Sequence, residues 1–162
     1  MKLDNERFTQ VIEATPLVAI DLIVQNELGQ ILLGQRRNRP AQNFWFVPGG
    51  RILKNERLAD ALSRISHTEI GIFVSGGQLV GVYDHFFEDN VFGIQSIDTH
   101  YVSLVYQCRI ESSTNLAPDE QNEELKWWNL ESLLASPEVH ANTKMYFNRN
   151  KDNGFTCELC LA

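Results

Sequence analysis

Residues 44–51 read "FWFVPGGR", and residues 56–72 continue "ERLADALSRISHTEIGI". The order predicts an aromatic strand, a Pro-Gly-Gly turn and a helix, since no Gly or Pro interrupts the apolar spacing from Glu56 to Ile70. At about 100° per residue, Leu58, Leu62, Ile65, Glu69 and Ile72 fall within about 80° of one another. Glu69 therefore belongs to the apolar stripe. A carboxylate there is costly unless a cation or several donors compensate it. Three readings follow: an ion pair with a nearby arginine, a place at the solvated edge of the stripe, or a ligand for a bound cation.

Working outward, "DNERFTQVIEA" predicts a short helix capped by Asp4 and ended by Pro16. "LVAIDLIVQ" and "QILLGQ" are apolar runs joined by "NELG", which reads as a hairpin. "QLVGVYDHFFE" and "THYVSLVYQCRI" predict two longer strands, "LKWWNL" another, and "ESLLAS" and "PEVHANTKMYFNRN" two helices. No repeat, low-complexity segment or linker appears, so residues 1–162 read as a single α+β domain.

The net charge of −7 argues against a non-specific nucleic-acid binder, which needs excess Lys and Arg. It leaves room for an anionic small ligand at a local basic cluster. The N-terminus "MKLDNERFTQ" has no apolar stretch of secretory length, and no window reaches the roughly 18 apolar residues of a membrane span. A cytoplasmic protein without a membrane partner is the expectation. Cys108, Cys157 and Cys160 form no disulfide framework, and the terminal CxxC lacks two further soft ligands for zinc.

Around the opening stretch the chemistry accumulates. Gly49 and Gly50 let backbone groups approach a ligand closely. Arg36, Arg37, Arg39 and Arg51 supply forked donors suited to phosphate. With Glu69, they suggest a diphosphate bound through a hard divalent cation, and magnesium fits because it takes few protein oxygens. Asp21, inside "LVAIDLIV", reads by itself as an edge or hairpin carboxylate.

The same residues resemble the Nudix box, G-x5-E-x7-R-E-U-x-E-E-x-G-U, over about residues 50–72. Gly50, Glu56, Arg64, Glu69, Gly71 and Ile72 match it. Ile65 and Thr68 stand in two glutamate positions, and Ser66 in an aliphatic one. The retained single glutamate, with "TPLVAIDLIV", "LLGQRRNRPAQ", "THYVSL", "PDEQ" and "VHANT", is similar to the GDP-mannose mannosyl hydrolase branch of that family.

The resemblance implies an α/β/α sandwich around a mixed sheet, in a homodimer. It also implies magnesium-dependent hydrolysis of a GDP-sugar at the sugar C1, with inversion. Gly49, Glu69 and Gln121 would hold one magnesium ion. Arg36, Arg51 and Arg64 would face the diphosphate, and Asp21 the sugar. Lys2, Leu3 and Phe8 would meet the guanosine, and His85 and Tyr101 would line the site. The branch has a His general base after the metal-binding Gln, where this chain has Asn122. Glu123 beside it, Glu120, His85 and His100 are the remaining candidates. Two other outcomes stay open: cleavage at phosphorus by a pyrophosphohydrolase, and a GDP-sugar binding protein of weak activity.

Overall fold

The computed structural model describes residues 3–117, 122–148 and 154–155, the side chains of 122, 123, 154 and 155 excepted. Lys2, Glu120, Gln121, Cys157 and Cys160 lie outside the described residues.

Helix α1 (Asn5–Ala14) starts where Asp4 accepts the Arg7 N–H at 2.9 Å, and it ends at Thr15 before Pro16. Strands β1 (Leu17–Gln25) and β2 (Ile31–Arg36) form the expected hairpin. Its turn is closed by the Asn26 side chain, whose Oδ1 accepts the N–H groups of Leu28 and Gln30. Strands β3 (Trp45–Phe46) and β4 (Gly49–Arg51) precede helix α2 (Leu58–Ile70). Then come β5 (Gln78–Phe87), β6 (Thr99–Arg109), β7 (Asn122–Trp128), α3 (Leu130–Ala135), α4 (Ala141–Met145) and β8 (Gly154–Phe155).

The sheet is mixed. Its order is β3-β2-β1-β6-β5-β8, with β4 also paired to β1 and β7 to β2. Strand β1 runs parallel to β6 and antiparallel to β2 and β4. Alternation along β1 sends successive side chains to opposite faces. Ile20, Leu22 and Val24 pack with Ala61, Leu62, Ile65 and Ile70 of α2. Ile23 joins Leu33, Trp45, Trp128 and Leu133 on the other face, under α3. This is the mixed α+β architecture anticipated from the sequence. Among the described residues, no helix is long and apolar enough to cross a membrane.

Four local expectations need correction. The Pro-Gly-Gly turn continues directly into strand β4, because Gly49–Arg51 finds a ladder partner in β1 that no local pattern advertises. Leu58, assigned to the buried stripe, is exposed: it is the first residue of α2 and leans past the end of the core. The helix expected over 137–150 spans only Ala141–Met145 among the described residues, beginning where His140 Nδ1 accepts the Asn142 N–H at 3.2 Å. Strand β7 begins at Asn122 rather than Leu125, through pairing with β2.

Candidate functional site

A pocket of about 670 Å³ opens where β1, β4, β5, β6 and α2 converge. It lies within the size range of small-molecule sites. Of the sequence-predicted residues it gathers Phe8, Asp21, Arg36, Gly49, Arg51, Arg64, Glu69, His85 and Tyr101. Leu3 precedes α1 and is outside the pocket lining. A second cavity of about 480 Å³, by Phe73, Gly77 and Cys108, contains none of these groups.

Glu69 reaches the pocket from the inner face of α2 and is only 6% exposed, as its place on the stripe required. The two box departures that precede it both line the pocket, Ile65 as a core residue only 1% exposed and Thr68 as an exposed hydroxyl. Ser66 is buried with its hydroxyl satisfied, donating to the Ser63 carbonyl at 3.0 Å and accepting the Val74 N–H at 2.9 Å. A hydroxyl thereby locks the end of α2 to the loop beyond Gly71, which closes the helix in the left-handed conformation at φ 79°.

The two glycines of β4 point to opposite faces of the sheet. Gly50 packs on Ile65, where an added Cβ would sit 3.2 Å from Cγ1. On the pocket side, an added Cβ at Gly49 would collide with the Asp21 carboxylate, its ladder partner. Glycine at 49 is thus the residue that admits an acid at 21.

Arg64 Nε bonds Glu56 Oε1 at 2.6 Å, and Nη2 reaches Glu56 Oε2 and the Arg51 carbonyl, each at 2.8 Å. Glu56 also accepts the Leu53 N–H at 2.8 Å. The Arg64 fork is therefore committed to fixing the β4–α2 connection. The Arg64 bonds hold the Glu56 carboxyl below its usual range. Arg51 stacks on Phe8 at 3.9 Å from the ring centroid, and Arg36 lies over Phe46 at 5.2 Å. Burial pushes the Tyr101 phenol up, while Arg36 and Arg51 nearby pull it down.

Asp21 lies at the centre of a cluster that sequence reading did not assemble. Tyr146, just after α4, donates its hydroxyl to Asp21 Oδ2 at 2.5 Å, and His85 Nε2 lies 2.6 Å from the same phenol oxygen. Burial raises the Asp21 carboxyl, opposed by Tyr146, His85, Ser103 and Arg36. Burial lowers the His85 imidazole, opposed chiefly by Asp21. Tyr146, Ser103 and Asn142 are pocket residues the sequence did not single out. "VHANT" and "THYVSL" marked their segments, but no spacing rule links position 146 to position 21. Asn122 pairs with Arg36 in the β2–β7 ladder, which sets its backbone beside the pocket.

Among the described residues no three His, Cys, Asp or Glu side chains gather into a metal cluster. One buried carboxylate beside a close-approaching glycine strand does fit magnesium, which completes its shell with water and phosphate oxygens.

Residues 15–148 match the NUDIX domain family model. The chain is 35% identical over 126 residues to the "Low-salt glycan biosynthesis protein Agl8" of Haloferax volcanii, covering 77% of this chain and 78% of that protein. Among solved structures, a MutT protein from Methanosarcina mazei Go1 superposes with a TM-score of 0.69 at 20% identity, over 83% of this chain and 92% of that one. A MutT NUDIX hydrolase from Burkholderia pseudomallei gives 0.66 at 25% identity, over 82% and 95%. With the box on a strand–helix unit and the family match spanning most of its length, this chain belongs to the NUDIX domain family.

Proposed function

We propose that the protein hydrolyses a GDP-sugar, GDP-mannose first and GDP-glucose second, at the sugar C1, releasing GDP and free hexose with inversion. The observation that supports this reading is the inner face of α2. It presents one carboxylate, Glu69, where the family pattern has three, since Ile65 is core and Thr68 is a hydroxyl. A site with one ligating carboxylate suits leaving-group stabilisation better than activation of a water at phosphorus. The name of the Haloferax relative, which refers to glycan biosynthesis, agrees with sugar chemistry.

Glu69, the Gly49 carbonyl and Gln121 would hold magnesium. When bound, that ion supplies Lewis-acid neutralisation of charge on the departing diphosphate. Arg36 and Arg51 add fixed positive charge at the same end, and Arg64 positions the Arg51 strand rather than spending its own fork on phosphate. Phe8 takes the guanosine end, and Leu3 and Lys2, ahead of the pocket lining in the chain, would meet the base there by the resemblance alone. Asp21 faces the sugar, where an oxocarbenium-like transition state carries positive charge. Its carboxyl is held in one orientation by Tyr146. Inversion needs a single displacement by water from the face opposite the diphosphate. Asn122 cannot take that water's proton, and Glu123 is the neighbouring carboxylate. A homodimer completes the proposal and is checked by sedimentation.

Turnover of GDP-mannose and GDP-glucose in ¹⁸O-labelled water with magnesium tests the reading. Label in the hexose is expected. Label in a phosphate would replace it with a pyrophosphohydrolase, and binding without turnover would leave a GDP-sugar binding protein.

A further inference from the structure

The α4 segment brings a polar group to the pocket that the scheme above leaves unused. Asn142 and His85 both line the cavity. Asn142 Nδ2 and His85 Nδ1 are buried nitrogens without a hydrogen-bond partner among the described residues. Buried polar atoms are normally paired. Two orphans in one cavity point to a ligand that pairs them.

The hydrogen-bond pattern assigns a polarity to each. Tyr146 has one proton, and it goes to Asp21 Oδ2. Toward His85 the phenol oxygen can only accept, so the 2.6 Å contact requires the proton on His85 Nε2. Burial disfavours the charged imidazole, which leaves Nδ1 as a bare acceptor. The Asp84 charge and backbone oppose the burial shift of His85, but no Asp84 atom lies in hydrogen-bond geometry with Nδ1. Asn142 Nδ2 is purely a donor, and the residue is anchored by its backbone N–H on His140 Nδ1.

Phosphate oxygens accept and cannot satisfy His85 Nδ1. A hydroxyl both donates and accepts. We propose that Asn142 Nδ2 and His85 Nδ1 read hydroxyl groups of the hexose, with Asn142 a specificity-determining residue and Tyr146 the positioning residue that makes His85 an acceptor. The proposal rests on the nucleotide-sugar reading and extends it to how the sugar is told apart.

Calorimetry with GDP, GDP-mannose and singly deoxygenated GDP-mannose analogues, in magnesium, tests it on the wild-type chain, Asn142→Ala and the isosteric Asn142→Asp. Both variants are expected to keep GDP affinity, which also reports an intact fold. They should lose about ten- to a hundredfold in GDP-mannose affinity and cease to reject one deoxy analogue. Equal losses for GDP and GDP-mannose, or discrimination unchanged, would overturn the pair while leaving the nucleotide-sugar reading in place. A wild-type protein that neither binds nor cleaves any GDP-hexose would overturn both. Histidine ¹⁵N spectra give an arm independent of substrate: His85 should show the Nε2-protonated tautomer, and Tyr146→Phe should mix the two. An Nδ1-protonated His85 in the wild-type protein would remove the acceptor and the proposal with it.

Discussion

Gly49 stands opposite Asp21 in the β1–β4 ladder with no room between them for a side chain. Gly49→Ala should therefore displace the Asp21 carboxylate and lower activity sharply, at a stability cost of about 1–3 kcal/mol. Gly50→Ala meets the Ile65 side chain, its nearest carbon at 3.2 Å, and should cost less. Urea unfolding of the two variants side by side checks the ranking, and equal effects would argue against the Asp21 collision.

The Glu56–Arg64 clip has a pH signature. The folded-state pKa of Glu56 is depressed from its ordinary 4.5, so the unfolded chain binds the proton first as pH falls. Its stabilising contribution is full above the ordinary value and disappears as pH drops through the depressed one. Glu56→Gln should lower stability at neutral pH and flatten the acid end of the stability curve. Identical curves for the two proteins would place the clip's worth near zero.

Glu69→Gln should weaken both activity and the response to magnesium, because the buried carboxylate is the one charged ligand in the proposed set. Activity against magnesium concentration should shift at least several-fold to higher metal. Removing metal with a chelator should abolish wild-type turnover reversibly. A variant with an unshifted titration would take Glu69 out of the ligand set.

Asn122→His would place an imidazole where the GDP-mannose mannosyl hydrolases that this sequence resembles carry their base. General-base catalysis typically contributes about 10²–10⁴-fold, and a gain in turnover at the lower end is expected if the water path is otherwise intact. Steady-state rates across pH measure it, with an acid limb appearing only in the variant. No gain would mean that another group already takes the proton or that none is needed.

His140 stacks on Phe46 at 4.6 Å and touches Phe44 and Phe87. Its pKa is pushed down to about 4, first by burial and then by His85 and Arg36. The unfolded chain takes up this proton near the ordinary 6.5, so stability should fall as pH drops from there toward 4. His140→Asn keeps an acceptor for the Asn142 N–H and removes the titration, so it should shed part of that slope. Chemical denaturation at several pH values reads the difference in slope; equal slopes would assign the acid sensitivity elsewhere.

The parts of this molecule legible in sequence were those carried by short-range patterns. Asp4 caps α1, apolar runs gave β1, β2, β5 and β6, and helical spacing put Glu69 inside. What escaped depends on partners far along the chain. Gly49–Arg51 is a strand only because β1 runs beside it, and glycines carry no strand pattern of their own. The 137–150 segment has helical composition, yet its described part is a five-residue helix followed by Tyr146, whose hydroxyl is drawn to Asp21. Resemblance brought Asp21, His85 and Tyr101 to one site. The bond that organises two of them, through Tyr146, is invisible to any local window.

Asp21 and Tyr146 are separated by 125 positions, and β1 must wait for β6 before its parallel partner exists, Leu17 meeting Tyr101. Loop closures of that span are slow relative to helix formation. During synthesis the early hairpin and its box helix leave the ribosome with the acid unheld and one flank of β1 bare. A chain cut short before β6 therefore presents an unpaired strand edge, while one that ends between β6 and α4 has that edge covered and still lacks the Tyr146 that holds the acid.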